Sequence, residues 1–135
     1  MGIAFSRDEQ TKQITIPRSG GIRVDPQSAE IYEELIRFLH RHAGTGQILA
    51  GPDSPQVYFL SGHANPTGIL FDFFEEFVGY EERINALLDK SSIKAVVVNL
   101  RPEFSVSYLR PFRQAASSHF KNVQRIGPFE VFWRP

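Results

Sequence analysis

The sequence predicts an α/β fold, and three observations carry that prediction. Segments with helical periodicity alternate with short apolar segments along the chain, the pattern of helices packed on a sheet. One short segment, Ala95-Val96-Val97-Val98, is continuously apolar and mostly β-branched, which suits a strand covered on both faces. The chain has 135 residues, 41% of them hydrophobic with twelve Phe and one Trp, enough for a single domain with a substantial core.

Residues 1–12 are polar and unpatterned after Phe5 and read as a tail or linker, leaving 13–135 as one α/β domain. Ile14 and Ile16, then Ile22 and Val24, alternate with polar residues around Arg18-Ser19-Gly20-Gly21, which predicts a short hairpin with Pro17 confining it to an edge. Asp25-Pro26 is a helix start: a capping side chain, then a proline where its missing N–H costs nothing. That helix runs to about Ala43 with Ile31, Leu35, Phe38, Leu39 and His42 on one stripe, and Gly44 ends it.

Residues 47–51 are apolar and bounded by glycines, a buried strand feeding a loop. Asp53 is then expected to cap a short helix over 54–61, with Pro55 in its first turn and Gly62 past its last; the Val57/Phe59 alternation leaves a strand open there. A loop over 63–68, a short strand at Ile69-Leu70-Phe71 and an amphipathic helix over 81–89 follow. Residues 93–100 form the central strand. A third helix begins between Ser105 and Pro111 and ends near Phe120, and two strands over 123–126 and 129–133 flank Gly127-Pro128. The order predicts a single two-layer or three-layer sandwich, Rossmann-like, with a mainly parallel sheet, helical crossovers and a C-terminal antiparallel hairpin at one edge.

Charge narrows the function. Fifteen basic residues balance fifteen acidic ones, which argues against nucleic acid as a partner. The distribution is uneven: residues 47–80 hold no Lys or Arg, while 101–134 carry Arg101, Arg110, Arg113, Lys121, Arg125 and Arg134 against Glu103 and Glu130. Two complementary surfaces of one domain explain this more simply than a binding patch. With no cysteine there is neither a disulfide nor a thiolate metal site, and His40 and His42, two apart on a helix, face different ways. No metal and no cofactor is expected.

The sequence holds no G-x-S-x-G elbow, no H-E-x-x-H and no Walker loop, so no catalytic residue is assigned. A triad drawn from Asp53, His63 and Ser54 or Ser61 would rest on chain proximity alone. Asp72, Glu75 and Glu76 share a face if that segment is helical, which would suit a hard cation or general acid-base work, although solvated acids beside a helix start explain them better. Asp53, Asn99 and Arg101 follow the carboxyl ends of predicted strands, where open α/β sheets place a ligand crevice. Tyr58, Asn65, Thr67 and Asp72 join them as binding candidates because the stretch 51–72 interleaves three prolines with aromatics and turn residues, as a shaped surface does.

Several ordered motifs run from about Gly21 to Pro135: Pro52-Asp53-x-Pro55 with Tyr58-Phe59-Leu60-Ser61-Gly62, Asn65-Pro66-Thr67, Phe71-Asp72, Val97-Val98-Asn99 with Pro102-Glu103-Phe104-Ser105, and Gly127-x-Phe129-Glu130-Val131. Together they resemble the soluble C-terminal domain of polyprenyl-phosphate-sugar-dependent membrane glycosyltransferases, whose membrane part is similar to protein mannosyltransferases. The resemblance implies an extracytoplasmic, non-catalytic accessory domain. Its partners would be the transmembrane portion of the same parent protein, and the polyprenyl-phosphate sugar or its acceptor. Chemistry in such enzymes belongs to acidic loops of the membrane part, none of which is present here. Where that family has a basic pair before Asn-Pro, this chain has Gly62-His63-Ala64, which argues against an anionic ligand at that loop. A free-standing α/β ligand-binding module and a small hydrolase remain the alternatives.

Overall fold

Helix α1 (Pro26–Ala43) shows how closely local chemistry sets the element boundaries. Asp25 accepts from the Ser28 amide at 2.9 Å and from its hydroxyl at 2.7 Å, Pro26 opens the helix, and Gly44 closes it at φ 55° with its N–H on the His40 carbonyl. The computed structural model describes residues 12–13, 23–67 and 77–134. After α1 come β3 (Gln47–Gly51), α2 (Pro55–Ser61), α3 (Tyr80–Leu88), β4 (Ile93–Asn99), α4 (Val106–His119), β5 (Asn122–Ile126) and β6 (Phe129–Trp133). Two short strands, β1 (Lys12–Gln13) and β2 (Arg23–Val24), precede α1 and pair antiparallel; Ile14, Ile16 and Ile22 of the expected hairpin lie outside the described residues. The expected strand at Ile69-Leu70-Phe71 lies outside the described residues.

The sheet has the order β3-β4-β6-β5. Leu35, Leu39, Val57 and Leu60 from α1 and α2 pack with Ile48, Ala95, Val97 and Val131 on one face. Tyr80, Ile84 and Leu88 from α3 and Phe112 and Ala116 from α4 pack with Leu49, Val96, Val98 and Phe132 on the other. This is a three-layer α/β/α sandwich. β4 is central as its composition predicts, and Ala95 to Val98 are fully buried.

The expectation of a mainly parallel, Rossmann-like sheet is corrected. β3 and β4 pair parallel, but β4 with β6 and β6 with β5 pair antiparallel, so two of the three pairings are antiparallel. β5 therefore points the same way as β4, with α4 between them in the chain, and the last strand inserts between the two, so the antiparallel hairpin lies at one edge as expected, with β5 outermost. The reason lies in the hairpin's two halves. β6 offers buried apolar groups on both sides, Phe129 and Val131 to one layer and Phe132 to the other, whereas Val123, Gln124 and Arg125 leave β5 exposed along most of its length. The strand that can be covered on both faces takes the inner place. Gly127, at φ 56°, makes the turn against α1: a Cβ there would sit 2.8 Å from Ile31 Cδ1.

Three of the six basic residues of the C-terminal third are engaged by the fold. Arg134 donates to the Leu88 and Ile93 carbonyls and lies over the Phe120 ring, Arg113 pairs with Glu130, and Arg125 bonds the Gly127 carbonyl. No helix among the described residues is long and apolar enough to cross a membrane.

Candidate functional site

At the carboxyl ends of β3 and β4 the chain makes two loops, and between them lies a crevice of about 320 Å³. The first loop turns through a cis Gly51-Pro52 bond into Asp53, which takes a positive φ of 54°. Aspartate is among the few residues that accept this conformation readily. The turn directs its carboxylate away from the helix that follows.

Asp53 consequently caps the wrong helix by sequence logic and the right one by geometry. α2 is capped in position by Ser54, without a side-chain hydrogen bond. One oxygen of Asp53 accepts from the backbone amides of Phe104 at 2.9 Å and Ser105 at 2.7 Å, and the other accepts from the Ser105 hydroxyl at 2.7 Å. Phe104 and Ser105 lead into α4, 51 and 52 residues along the chain from Asp53, and both Asp53 and Ser105 are buried. The carboxylate thus satisfies the amides at the entry to α4 and places negative charge at its positive end.

Asn99, at the end of β4, works in the same way. Its amide nitrogen donates to the Pro52 carbonyl at 3.1 Å and its oxygen accepts from the Arg101 amide at 3.0 Å, tying the two loops together. Asp53, Asn99 and Arg101, each past the carboxyl end of a strand, line one crevice. Asp53 and Asn99 build it, while the exposed Arg101 side chain makes no hydrogen bond or ion pair among the described residues.

Among the lining residues that were not candidates are Tyr32 from α1, Gln56 from α2, and Glu103 and Phe104 close to Arg101. Gln56 donates to the Tyr32 hydroxyl at 3.0 Å, and the Tyr32 ring packs 5.9 Å from that of Phe129. Burial, and secondarily the Glu103 charge, push the Tyr32 hydroxyl above its usual pKa, against the hydrogen bond from Gln56. Extending the strand-end rule three residues past Arg101 would have found Glu103 and Phe104; nothing in the sequence marks Tyr32 or Gln56.

The remaining candidates lie elsewhere. Tyr58 is buried, its hydroxyl accepting from the Ala50 amide at 2.7 Å and donating to the Ala50 carbonyl at 3.3 Å, so it locks α2 onto β3. Asn65 and Thr67 form a local turn in which the Asn65 oxygen accepts from the Thr67 amide and hydroxyl. They do not line the crevice; their loop starts at Gly62, His63 and Ala64, which line another cavity with Gly44 and Gln47 at the opening end of β3. Asp72 lies outside the described residues.

The hydrolytic triad is not assembled. His63 sits at that opposite end with Nε2 2.9 Å from the Gly44 carbonyl, while the Ser54 hydroxyl bonds the Pro52 carbonyl and the Ser61 hydroxyl the Tyr58 carbonyl. His40 faces the Ser61 carbonyl, and His42 packs against Phe38 and Trp133. Among the described residues no group of three or more His, Asp or Glu is placed to hold a metal. A larger groove of about 640 Å³ runs between α4 and the β5–β6 hairpin, flanked by exposed Val106 and Val123. It is mainly apolar, and its Arg113 and Glu130 pair with each other. Compared with known proteins, the chain matches no family model, no curated protein and no solved structure.

Proposed function

We propose that this chain is a non-catalytic accessory domain of a polyprenyl-phosphate-sugar-dependent membrane glycosyltransferase, shaping access of the acceptor or the lipid-linked sugar from the extracytoplasmic side. The ordered motifs around Pro52-Asp53, Asn99 and Phe129 support the family reading. The observation that carries the non-catalytic part is the state of the crevice: its buried acid, Asp53, spends both oxygens on the start of α4, and the nearby hydroxyls of Ser54 and Ser105 donate to structural acceptors. A general acid, base or nucleophile must reach substrate with its reacting atom. These groups face the fold.

The crevice is complete within one chain, which equally favours a free-standing binding module. The reading frame upstream of Met1 separates the two, since several hydrophobic spans there would support the accessory role. The direct test incubates the purified chain with a polyprenyl-phosphate sugar and candidate acceptors, and assays the full-length parent with Arg101→Ala. The expected outcome is no transfer and no hydrolysis by the isolated chain, with reduced transfer by the folded parent variant. Turnover by the 135-residue chain alone would overturn the reading.

A further inference from the structure

In α/β sheets, the strand-end crevice beside a helix N-terminus is where a phosphate ordinarily sits, because unpaired amides and the helix dipole converge there. In this chain that position is filled. The Phe104 and Ser105 amides already hold the Asp53 carboxylate, whose charge repels a second anion. α2, the other helix opening here, has Pro55 in its first turn and so lacks one of the donors.

What remains exposed in the crevice is a mixed set. Arg101 and Glu103 both line it, and neither pairs with the other or with any group among the described residues. A guanidinium only donates and a carboxylate only accepts, each in a planar two-pronged geometry. Adjacent hydroxyls on a ring can do both, and so satisfy the pair without bringing charge. The Tyr32 hydroxyl, already accepting a hydrogen bond from the Gln56 amide, has its own O–H left to donate. Phe104, 62% exposed, offers an aromatic face for an apolar C–H surface. The volume of about 320 Å³ is at the small end of ligand pockets, roughly 300–1,000 Å³, which is room for a ring rather than a lipid chain or dinucleotide.

Building on the reading of this crevice as a binding surface, we propose that it takes a neutral polyhydroxylated ring, a sugar unit, held between Arg101 and Glu103 against Phe104, and that it does not take phosphate. In a lipid-linked sugar or a glycosylated acceptor, the sugar is then the part this domain holds. A zwitterion would also meet both charges, but it would leave the aromatic face and the Tyr32 hydroxyl unused.

The test is a titration of the ¹⁵N-labelled chain, following the backbone amides of Gln56, Arg101, Glu103 and Phe104. The probes are methyl α-mannopyranoside, methyl β-glucopyranoside, inorganic phosphate and glycine. At least one glycoside should shift these amides saturably, while phosphate and glycine do not. Arg101→Ala and Glu103→Ala, at exposed positions and with spectra that show an intact fold, should each weaken glycoside binding about tenfold or more. Val123→Ala in the distant groove should leave it unchanged. If phosphate or glycine shifts these amides and the glycosides do not, the sugar assignment falls while the crevice stands as a binding surface. If no probe shifts them the sugar assignment also falls, and the accessory role is then decided by transfer in the Arg101→Ala parent.

Discussion

Replacing Asp53 tests the link between the two halves of the chain. Asp53→Ala strands two backbone amides and one hydroxyl beside Ser105, which is 1% exposed. A stranded buried donor costs roughly 1–3 kcal/mol, and entry of water offsets part of it, so the three together should cost about 3–5 kcal/mol. Alanine at a positive φ of 54° adds about 1 kcal/mol. Asp53→Asn should be much milder. It keeps one acceptor for the two amides and tolerates the left-handed turn, losing mainly the negative charge at the start of α4, for a cost of about 1–2 kcal/mol. Asp53→Gly loses the same bonds as alanine but relieves the backbone strain, and should be less damaging than alanine by about 1 kcal/mol. Urea unfolding followed by circular dichroism gives the three values, and hydrogen exchange at Phe104 and Ser105 localises them. The reasoning is refuted if Asp53→Ala costs under about 1 kcal/mol, or if those two amides exchange no faster in it than in the wild type.

Other outcomes follow from the same structure. Val97→Asp puts an unpaired charge in a fully buried position between β3 and β6, and no cooperative unfolding transition should remain. His63 has its pKa lowered, first by burial and then by His40, against the Gly44 hydrogen bond, and its Nδ1 is buried without a partner. The unfolded chain therefore binds the proton more readily: stability is full above the ordinary value of 6.5 and is lost as pH falls from there through the lower folded value, and His63→Gln should flatten the melting temperature over that range. Arg113→Ala breaks a two-pronged pair with Glu130 in which the arginine is 55% exposed, so it should cost only about 0.2–1 kcal/mol, less at high salt. A double-mutant cycle with Glu130→Gln measures it; a coupling well above that range would mean that the pair organises the neighbouring groove.

Legibility tracked the range of the interactions involved. Asp25-Pro26 and Gly44 announce α1 because capping acts within one turn, and Ala95 to Val98 announce a central strand because their composition alone requires cover on both faces. Asp53 was recognisable as a cap, but its target was not. A positive φ at one residue redirects the carboxylate, and nothing adjacent in sequence records that Phe104 and Ser105 will lie beside it. The hairpin was placed correctly along the chain and at an edge of the sheet, but which of its strands would be outermost was left open. Adjacent polar Gln124 and Arg125 were the available sign that β5, and not β6, would be the edge. For the crevice, the strand-end rule located three residues, while Tyr32 and Gln56 arrive from helices whose approach depends on packing.

The bonds that build the crevice also bear on how it would bind. From Asn99 to Ser105, the Leu100 amide donates to the Pro128 carbonyl, the Arg101 amide to Asn99, and the Phe104 and Ser105 amides to Asp53. Asn99 in turn holds the Pro52 carbonyl. Two separate segments, at Pro52-Asp53 and Pro128, thus fix one short backbone path before any ligand arrives. Ordering on binding is then confined largely to the long side chains of Arg101 and Glu103, at roughly 0.5–1.5 kcal/mol each. Removing either changes ligand affinity with little effect on stability, because neither holds the path in place. Asp53 differs in kind: loosening the start of α4 releases Phe104 as well, so Asp53→Ala should weaken glycoside binding and stability together, whereas Arg101→Ala separates the two. Equal losses of stability in both variants would mean that the loop is held by contacts other than this carboxylate.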